Sequence, residues 1–291
     1  MVHVERHDDV TRFEFSTWRS RAIGYSVSAY LVRGVLVDTG FHAVRRDVAR
    51  LVAELREASD ERRLRGAVVT HKHEDHAGNV ALLARLGVPL GIAAATREAL
   101  RTVPPIGFYR RYTWGSMPPL PDDAPTVATL DTDALAAFGL ALIATPGHSA
   151  DHHAVWDAER ETLFGGDLFL GVKVRVAHPG EDPRRLVETL RAVAALRPKR
   201  LFDAHRGAVD DATAKLAAKA SWIEEAIGEI DRLAAAGWSD AAIRTQVLGR
   251  EALAGYFSRG DYSRGNFVRA VRRTGSAAPS TGTGAGTRNE E

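Results

Sequence analysis

The segment HKHEDH, residues 71–76, brings three imidazoles and a carboxylate together within six positions, directly after a short apolar stretch that predicts a buried strand. Imidazole and carboxylate groups are the ligands that divalent transition metals prefer. In a tight loop, His71 and His73 can point to the same side, while Asp75 and His76 can address a second point close by. The segment therefore predicts two metal ions near one another, bridged by one water.

An alternative interpretation of this segment is a solvated polar loop, but matching side chains occur further along the chain. His148 follows an apolar stretch within TPGHS, Asp167 follows another within GGD, and His205 lies at the end of a third within AHRG. Any one of these residues alone is more often a structural residue than a ligand. Loops gather at the ends of strands in layered α/β folds, so we expect all of these side chains to meet at one site.

In this order the motifs resemble those of the metallo-β-lactamase superfamily of dinuclear metallohydrolases. The resemblance covers about residues 20–210 and rests on VDTG (37–40), THKHEDHAGN (70–79), TPGHS (145–149), GGD (165–167) and AHRG (204–207). It implies that His71, His73 and His148 bind the first metal, that Asp75, His76 and His205 bind the second, and that Asp167 bridges both. It implies a supporting role for Asp38 rather than ligation.

The resemblance also implies the fold, an α/β four-layer αβ/βα sandwich of two mixed sheets face to face with helices outside. The alternation of predicted strands and helices indicates the same layered class. We expect a catalytic domain over residues 1–208 and a helical C-terminal subdomain over 209–273, in which Ser239 caps the second helix. The composition of residues 274–291 predicts a disordered tail.

Composition narrows the function further. The chain has 291 residues and no cysteine, which excludes disulfides, Cys-ligated metals and a Cys nucleophile. The 39 basic and 37 acidic residues nearly balance, so nucleic acid is not the default partner. No apolar run is long enough to span a membrane, and the N-terminus is polar, so we expect a cytoplasmic protein that acts on a small molecule.

Within the superfamily, the chain resembles the branch that contains glyoxalase II and the acyl-homoserine lactone lactonases. Asp167 and the absence of cysteine differ from the zinc β-lactamases, and no arm or added specificity domain of the nuclease branches is found. The resemblance implies a hydrolase in which a metal-bridging hydroxide, oriented by Asp75, cleaves an ester, thioester or lactone. Two zinc ions are the first expectation for this sulfur-free ligand set, and iron or manganese is possible.

Residues 101–125 form a proline-rich stretch that predicts a long loop, which we interpret as a lid or pocket wall. Tyr109 or Tyr112 could stabilise an oxyanion, and Arg110 and Arg111 could hold a carboxylate or phosphate. The alternative is that the aromatic rings anchor the loop and the arginines are solvated. Outside this stretch, the candidates for binding an anionic substrate group are Lys173 and Arg206.

Several other interpretations stay open. The same site could serve a small-molecule phosphodiesterase, with Arg110 and Arg111 as the anion clamp. The C-terminal helices could cover the substrate, form a dimer contact or, as a regulatory module, read DNA through their arginines. One of His152 and His153 could orient a ligand, although a polar residue at a strand start is favoured for His153. No role is assigned to His178.

Overall fold

The computed structural model describes residues 1–59, 61–103, 106–121 and 132–275. Its strands form two mixed sheets. The first sheet has the order β1 to β6, antiparallel up to β4 and parallel from β4 to β6. Its strands are β1 (Val2–His7), β2 (Val10–Phe15), β3 (Val27–Val32), β4 (Val35–Val37), β5 (Gly66–Val69) and β6 (Leu90–Ile92).

The second sheet has the order β11-β10-β9-β8-β7, and only its β10–β9 pair is parallel. Its strands are β7 (Leu140–Ala144), β8 (His153–Asp157), β9 (Thr162–Phe164), β10 (Arg200–Asp203) and β11 (Gly207–Val209). The two sheets meet face to face, since Tyr30 of the first packs against Phe164 and Phe202 of the second.

Helices cover the outer face of each sheet. The helices described are α1 (Trp18–Ala22), α2 (Arg45–Glu57), α3 (Glu74–Ala77), α4 (Val80–Arg85), α5 (Ala94–Arg101), α6 (Phe108–Trp114), α7 (Thr132–Ala136), α8 (Pro183–Ala195), α9 (Ala212–Ala235), α10 (Asp240–Val247), α11 (Leu253–Phe257) and α12 (Arg264–Gly275). Of these, α2 and α4 lie on the first sheet, and α8, α9, α10 and α12 lie on the second. Local sequence fixes several starts: Asp182 caps α8 ahead of Pro183, and Ser239 accepts a hydrogen bond from the Ala242 N–H at the start of α10, as predicted.

Three apolar clusters separate the four layers, which confirms the predicted sandwich. On β3, Leu31 faces the cluster under α2 and α4, while Tyr30 and Val32 face the cluster between the sheets. The third cluster joins the outer face of the second sheet to α8, α9, α10 and α12. Strands buried on both faces are apolar at consecutive positions, as seen in Val35-Leu36-Val37.

The structure differs from the sequence prediction in several elements. Residues 101–125 are not a continuous loop, because α6 lies within them; the aromatic residue Trp114 is buried against Phe41. The prediction also lacked the β1–β2 hairpin, β11 and α11, which are too short or too polar to give a clear periodicity. The apolar pattern near residues 126–131 also predicts a strand, and this segment lies outside the described residues.

The helical segment does not stand apart from the second sheet, because α8 and α9 share one apolar cluster with it. The boundary at 208 stays a prediction, and most of the predicted tail, 276–291, lies outside the described residues. None of the helices described is long and apolar enough to cross a membrane. The cytoplasmic location and the homodimer stay predictions.

Candidate metal centre

Four strand ends supply the polar side chains of the site. His71, His73, Asp75 and His76 follow β5, with His73 immediately before α3. On the second sheet, His148 follows β7, Asp167 follows β9 and His205 follows β10. All seven predicted ligands come together, in two groups whose ligand atoms lie within 4.8 Å of one another. These groups are able to bind metal ions.

The first group consists of His71, His73, His148 and Asp167. The Nδ1 atom of His73 lies 3.0 Å from Nε2 of His71 and 3.0 Å from Nε2 of His148. Oδ2 of Asp167 lies 3.4 Å from Nε2 of His148. Three imidazoles and one carboxylate oxygen therefore converge on one point.

The second group consists of Asp75, His76 and His205, and the other oxygen of Asp167 faces it. Oδ1 of Asp167 lies 3.1 Å from Nε2 of His76 and 3.3 Å from Nε2 of His205. Oδ2 of Asp75 lies 3.4 Å from Nε2 of His205. The Asp167 carboxylate therefore lies between the two groups and presents one oxygen to each.

The chemistry of this donor set fits cations. Nε2 of His76 and Oδ1 of Asp167 are buried and make no hydrogen bond, which is costly unless another partner binds them. Burial opposes protonation of His76, but Asp167, Asp38 and Asp75 outweigh it and raise the pKa of the imidazole well above its usual range. The pKa of His205 is raised in the same way by Asp167 and Asp75. Positive charge is thus favoured where the carboxylates gather.

Burial and the neighbouring imidazoles hold the pKa of His71 and of His73 well below the usual range. Burial raises the pKa of Asp167, but His76 and His205 outweigh this effect and hold it well below the usual range. Neutral imidazoles and ionised carboxylates are the forms that bind metals. These residues are therefore in the ligand form at neutral pH.

Asp38 orients two of the imidazoles. It is buried, it lies 2.8 Å from Nδ1 of His76, and it accepts hydrogen bonds from the N–H and hydroxyl of Thr70. Because the Thr70 hydroxyl donates to Asp38, it can accept from Nδ1–H of His71, 3.0 Å away. In the neutral form that binds a metal, each imidazole then has its proton on Nδ1 and turns its Nε2 toward the site, which is how partners outside the ligand set fix a histidine tautomer. This agrees with the supporting role expected for Asp38.

His152 supports the backbone of Asp167 and is not in either group. Its Nε2 accepts from the Asp167 N–H at 3.2 Å, and its Nδ1 donates to the Thr145 hydroxyl at 2.8 Å. Gly166 has φ +51°, and a Cβ there would lie 2.9 Å from both Nε2 of His152 and Oγ1 of Thr70. Close packing therefore requires glycine at position 166, the second glycine of GGD. His153 begins β8, as favoured from the sequence.

The comparisons with known proteins agree with this geometry. Residues 22–205 match the family model described as the metallo-beta-lactamase superfamily. The chain belongs to the metallo-β-lactamase superfamily. A beta-lactamase-like protein 2 homolog from Caenorhabditis elegans is 31% identical over 185 residues, which are 62% of this chain and 55% of that relative. The chain therefore matches about half of the length of this curated relative.

Solved metallo-β-lactamase structures share the fold. A metallo-beta-lactamase family protein from Thermus thermophilus has a TM-score of 0.63 at 17% identity, and the match covers 92% of this chain and 95% of that protein's chain. The metallo-beta-lactamase FIM-1 from Pseudomonas aeruginosa, in its mono-zinc form, has a TM-score of 0.56 at 19% identity. The match covers 77% of this chain and 96% of the FIM-1 chain.

In this metallo-β-lactamase fold, a cavity of 990 Å³ opens onto both groups of ligands. Of the predicted substrate residues, the cavity lining includes Tyr109, Arg110, Lys173 and Arg206. Arg110 is bound by the buried carboxylate of Glu74. Burial, together with the nearby carboxylate of Asp261, raises the pKa of Tyr109, so its hydroxyl is protonated at neutral pH.

Arg111 and Tyr112 are not brought to this cavity. Both are exposed on α6, where the Tyr112 ring stacks on Phe108 and lies under the guanidinium of Arg19 at 4.8 Å. A helix turns successive residues by about 100°, so only some residues of α6 can face the metal-binding groups. The placement of Tyr112 and Arg111 matches the alternative interpretation, in which the aromatic ring packs and the arginine is solvated.

The cavity wall also contains residues for which the sequence predicts no role. The His178 ring lies 5.8 Å from that of His73 and 4.9 Å from that of Tyr262, and both His178 and Tyr262 line the cavity. Tyr25 lies 6.3 Å from the ring of His205. These residues are isolated in the sequence; the signal that could have found Tyr25 is its position just before β3, on the same side of the fold as Asp38.

Lys219 of α9 is buried beneath the loop that carries Asp167, and its ammonium donates to the carbonyls of Leu168 and Phe169. Burial lowers its pKa from 10.5 to about 8. The unfolded chain therefore holds more protons than the folded chain between these values, so stability rises with pH there. We expect the wild type to gain about 3 kcal/mol relative to Lys219→Met between pH 8 and 10.5.

Urea unfolding of the wild type and of Lys219→Met at both pH values measures this difference. The other titrating groups are common to the two proteins, so their contributions cancel in the comparison. If the free energy of unfolding depends on pH in the same way in the two proteins, burial does not lower the pKa of Lys219.

Proposed function

We propose that this chain is a dinuclear metal-dependent hydrolase that cleaves the ester, thioester or lactone bond of a small molecule. The observation that carries the proposal is the Asp167 carboxylate, with one oxygen toward each group of ligands. Divalent metal ions bound there supply Lewis acidity, which activates water near neutral pH and polarises a carbonyl oxygen. The absence of cysteine agrees with a reaction that needs no side-chain nucleophile.

The residues that would hold the metals are the seven predicted ones. His71, His73 and His148 would hold one ion, Asp75, His76 and His205 would hold the other, and Asp167 would bridge them. The set contains nitrogen and oxygen donors only, for which zinc is the first expectation and iron or manganese remain alternatives.

Two side chains of the cavity can act on the substrate. Asp75 lines the cavity beside His205, so its carboxylate is placed to orient an attacking water. Tyr109 also lines the cavity, and its protonated hydroxyl can donate a hydrogen bond to an oxygen that gains negative charge in the transition state. Between the two tyrosines considered from the sequence, this placement favours Tyr109.

The arginines of α12 favour a structural role for this helix over DNA recognition. Arg264 donates to the carbonyls of Leu248 and Arg250, Arg272 is bound by Asp240, and Arg273 donates to the carbonyls of Pro179 and Glu181. Guanidinium groups engaged in this way are less available to phosphates. We therefore propose that α12 supports the cavity wall.

The proposal is tested by elemental mass spectrometry of the purified protein, alongside hydrolysis of an acyl lactone, a thioester, an aryl ester and a bis-aryl phosphodiester. We expect about two metal ions per chain and turnover of a carbonyl substrate, both lost after chelation and both restored by zinc, iron or manganese. Turnover of the phosphodiester alone would identify a phosphodiesterase instead. A chain that binds no metal after reconstitution would overturn the dinuclear site.

A further inference from the structure

One part of the cavity wall is apolar, and all of its residues except the buried Trp114 are exposed to solvent. It consists of Ile23, Trp114, Leu253 and Phe257 together with the ring of Tyr25, which meets Trp114 at 6.3 Å. Leu253 is 87% exposed and Phe257 is 48% exposed. Single exposed apolar residues are ordinary, but several that line one cavity beside a reactive site indicate a surface for an apolar group.

A second part of the wall is cationic. Lys173 and Arg175 lie two positions apart on the segment after β9, and both are exposed and line the cavity. Arg206 lies against the same segment, because its Nε donates to the Leu170 carbonyl at 2.6 Å. Among the residues described, neither Lys173 nor Arg175 has an ion-pair partner, unlike Arg110, which Glu74 binds.

The carboxylates of the described cavity lining are those of Asp75 and Asp167, and both belong to the metal-binding groups. No carboxylate on this lining is therefore left to neutralise Lys173 and Arg175. Cations of this kind bind carboxylate or phosphate groups through charge-assisted hydrogen bonds. The wall thus offers separate surfaces for an apolar group and for an anion, with the metal-binding groups opening onto the same cavity.

We infer that the substrates are amphiphilic: an apolar acyl group joined, through an ester or thioester, to a leaving group that carries a carboxylate or phosphate. This inference rests on the proposed function and names its substrate class. Water adds its oxygen to the acyl carbon, the bond to the leaving oxygen or sulfur breaks, and one proton of the water goes to the leaving group. The products are a carboxylate with an apolar chain and an alcohol or thiol that carries the carboxylate or phosphate.

Four thioesters test the inference, an acetyl or an octanoyl group on either mercaptopropionate or its neutral amide. The released thiol is measured with a thiol-reactive dye, which cannot label the chain because it contains no cysteine. We expect kcat/KM for octanoyl mercaptopropionate to exceed that for the octanoyl amide and that for acetyl mercaptopropionate by about tenfold each. Equal kcat/KM values for all four thioesters would overturn the inference.

Paired variants separate the two surfaces. The double variant Lys173→Gln/Arg175→Gln should reduce the preference for the carboxylate over the amide by about tenfold and keep most of the preference for octanoyl. Leu253→Ser/Phe257→Ser should do the reverse. Arg46→Gln, which removes an exposed charge on α2 outside the cavity, is the matched control and should change neither preference. Preferences that are the same in all of these variants would contradict the assignment.

A binding measurement distinguishes failure of the inference from failure of the proposed function. If none of the four thioesters is cleaved by the metal-loaded protein, the proposed hydrolysis of thioesters fails. Quenching of Trp114 fluorescence, referenced to Trp114→Phe, then measures binding of the same four compounds. Tightest binding of octanoyl mercaptopropionate would support the amphiphilic site even though the reaction fails. Equal binding of all four compounds would overturn the inference.

Discussion

Replacing Asp167 with alanine is expected to lower kcat by about ten-thousandfold or more and to reduce the metal content below one ion per chain. Its two oxygens face different groups, at 3.4 Å from His148 and 3.1 Å from His76, so each group able to bind a metal ion loses a carboxylate oxygen at once. The same change also leaves His76 and His205 facing each other with less negative charge between them. The negative charge that favoured a cation at this point is lost, which weakens cation binding further.

The measurements are metal content by elemental mass spectrometry and turnover of the best carbonyl substrate. Glu98→Ala, which removes an exposed carboxylate on α5, is the control and should keep both near the wild-type values. Circular dichroism of Asp167→Ala must match that of the wild type for the loss to be assigned to the site. Retention of two metals and of most activity in Asp167→Ala would contradict the bridging role.

Replacing Asp38 with alanine is expected to weaken metal binding about tenfold to a hundredfold. The same change should destabilise the metal-free fold by about 3 kcal/mol. Asp38 is 2% exposed, and loss of its carboxylate leaves the Thr70 N–H and Nδ1 of His76 without their acceptor. Asp38 also has φ +64°, where alanine is less favourable than aspartate or asparagine.

Asp38→Asn distinguishes the two effects. Asparagine keeps the size, the backbone preference and one acceptor oxygen, so its loss of stability should be smaller than that of Asp38→Ala. The loss of charge should still weaken metal binding. Urea unfolding without metal and competition with a chromogenic chelator measure the two quantities. Wild-type metal affinity in both variants would show that Asp38 serves the fold alone.

Much of the centre could be predicted because its ligands lie in short motifs. HKHEDH supplies four of the seven predicted ligands within six residues, and the residues of TPGHS, GGD and AHRG lie at the ends of recognisable strands. The prediction for residues 101–125, the lid or pocket wall, was less complete. Whether Tyr109 or Tyr112 faces the cavity depends on the rotation of α6, which a proline-rich sequence without clear periodicity does not reveal.

The sequence by itself determined the superfamily, the layered fold, the His and Asp side chains of the two groups able to bind metal ions, and the absence of thiol chemistry. Metal ligands and buried strands leave local patterns, because adjacent residues must act together in a turn or on a face. Only the tertiary structure decided the cavity wall, where His178 and Phe257 come from distant segments, and the position of Lys219 beneath the loop that carries Asp167. Each is a single side chain without a motif, and contacts between distant segments fix its position, as in the ring contacts of Phe257 with Tyr109 and of His178 with Tyr262.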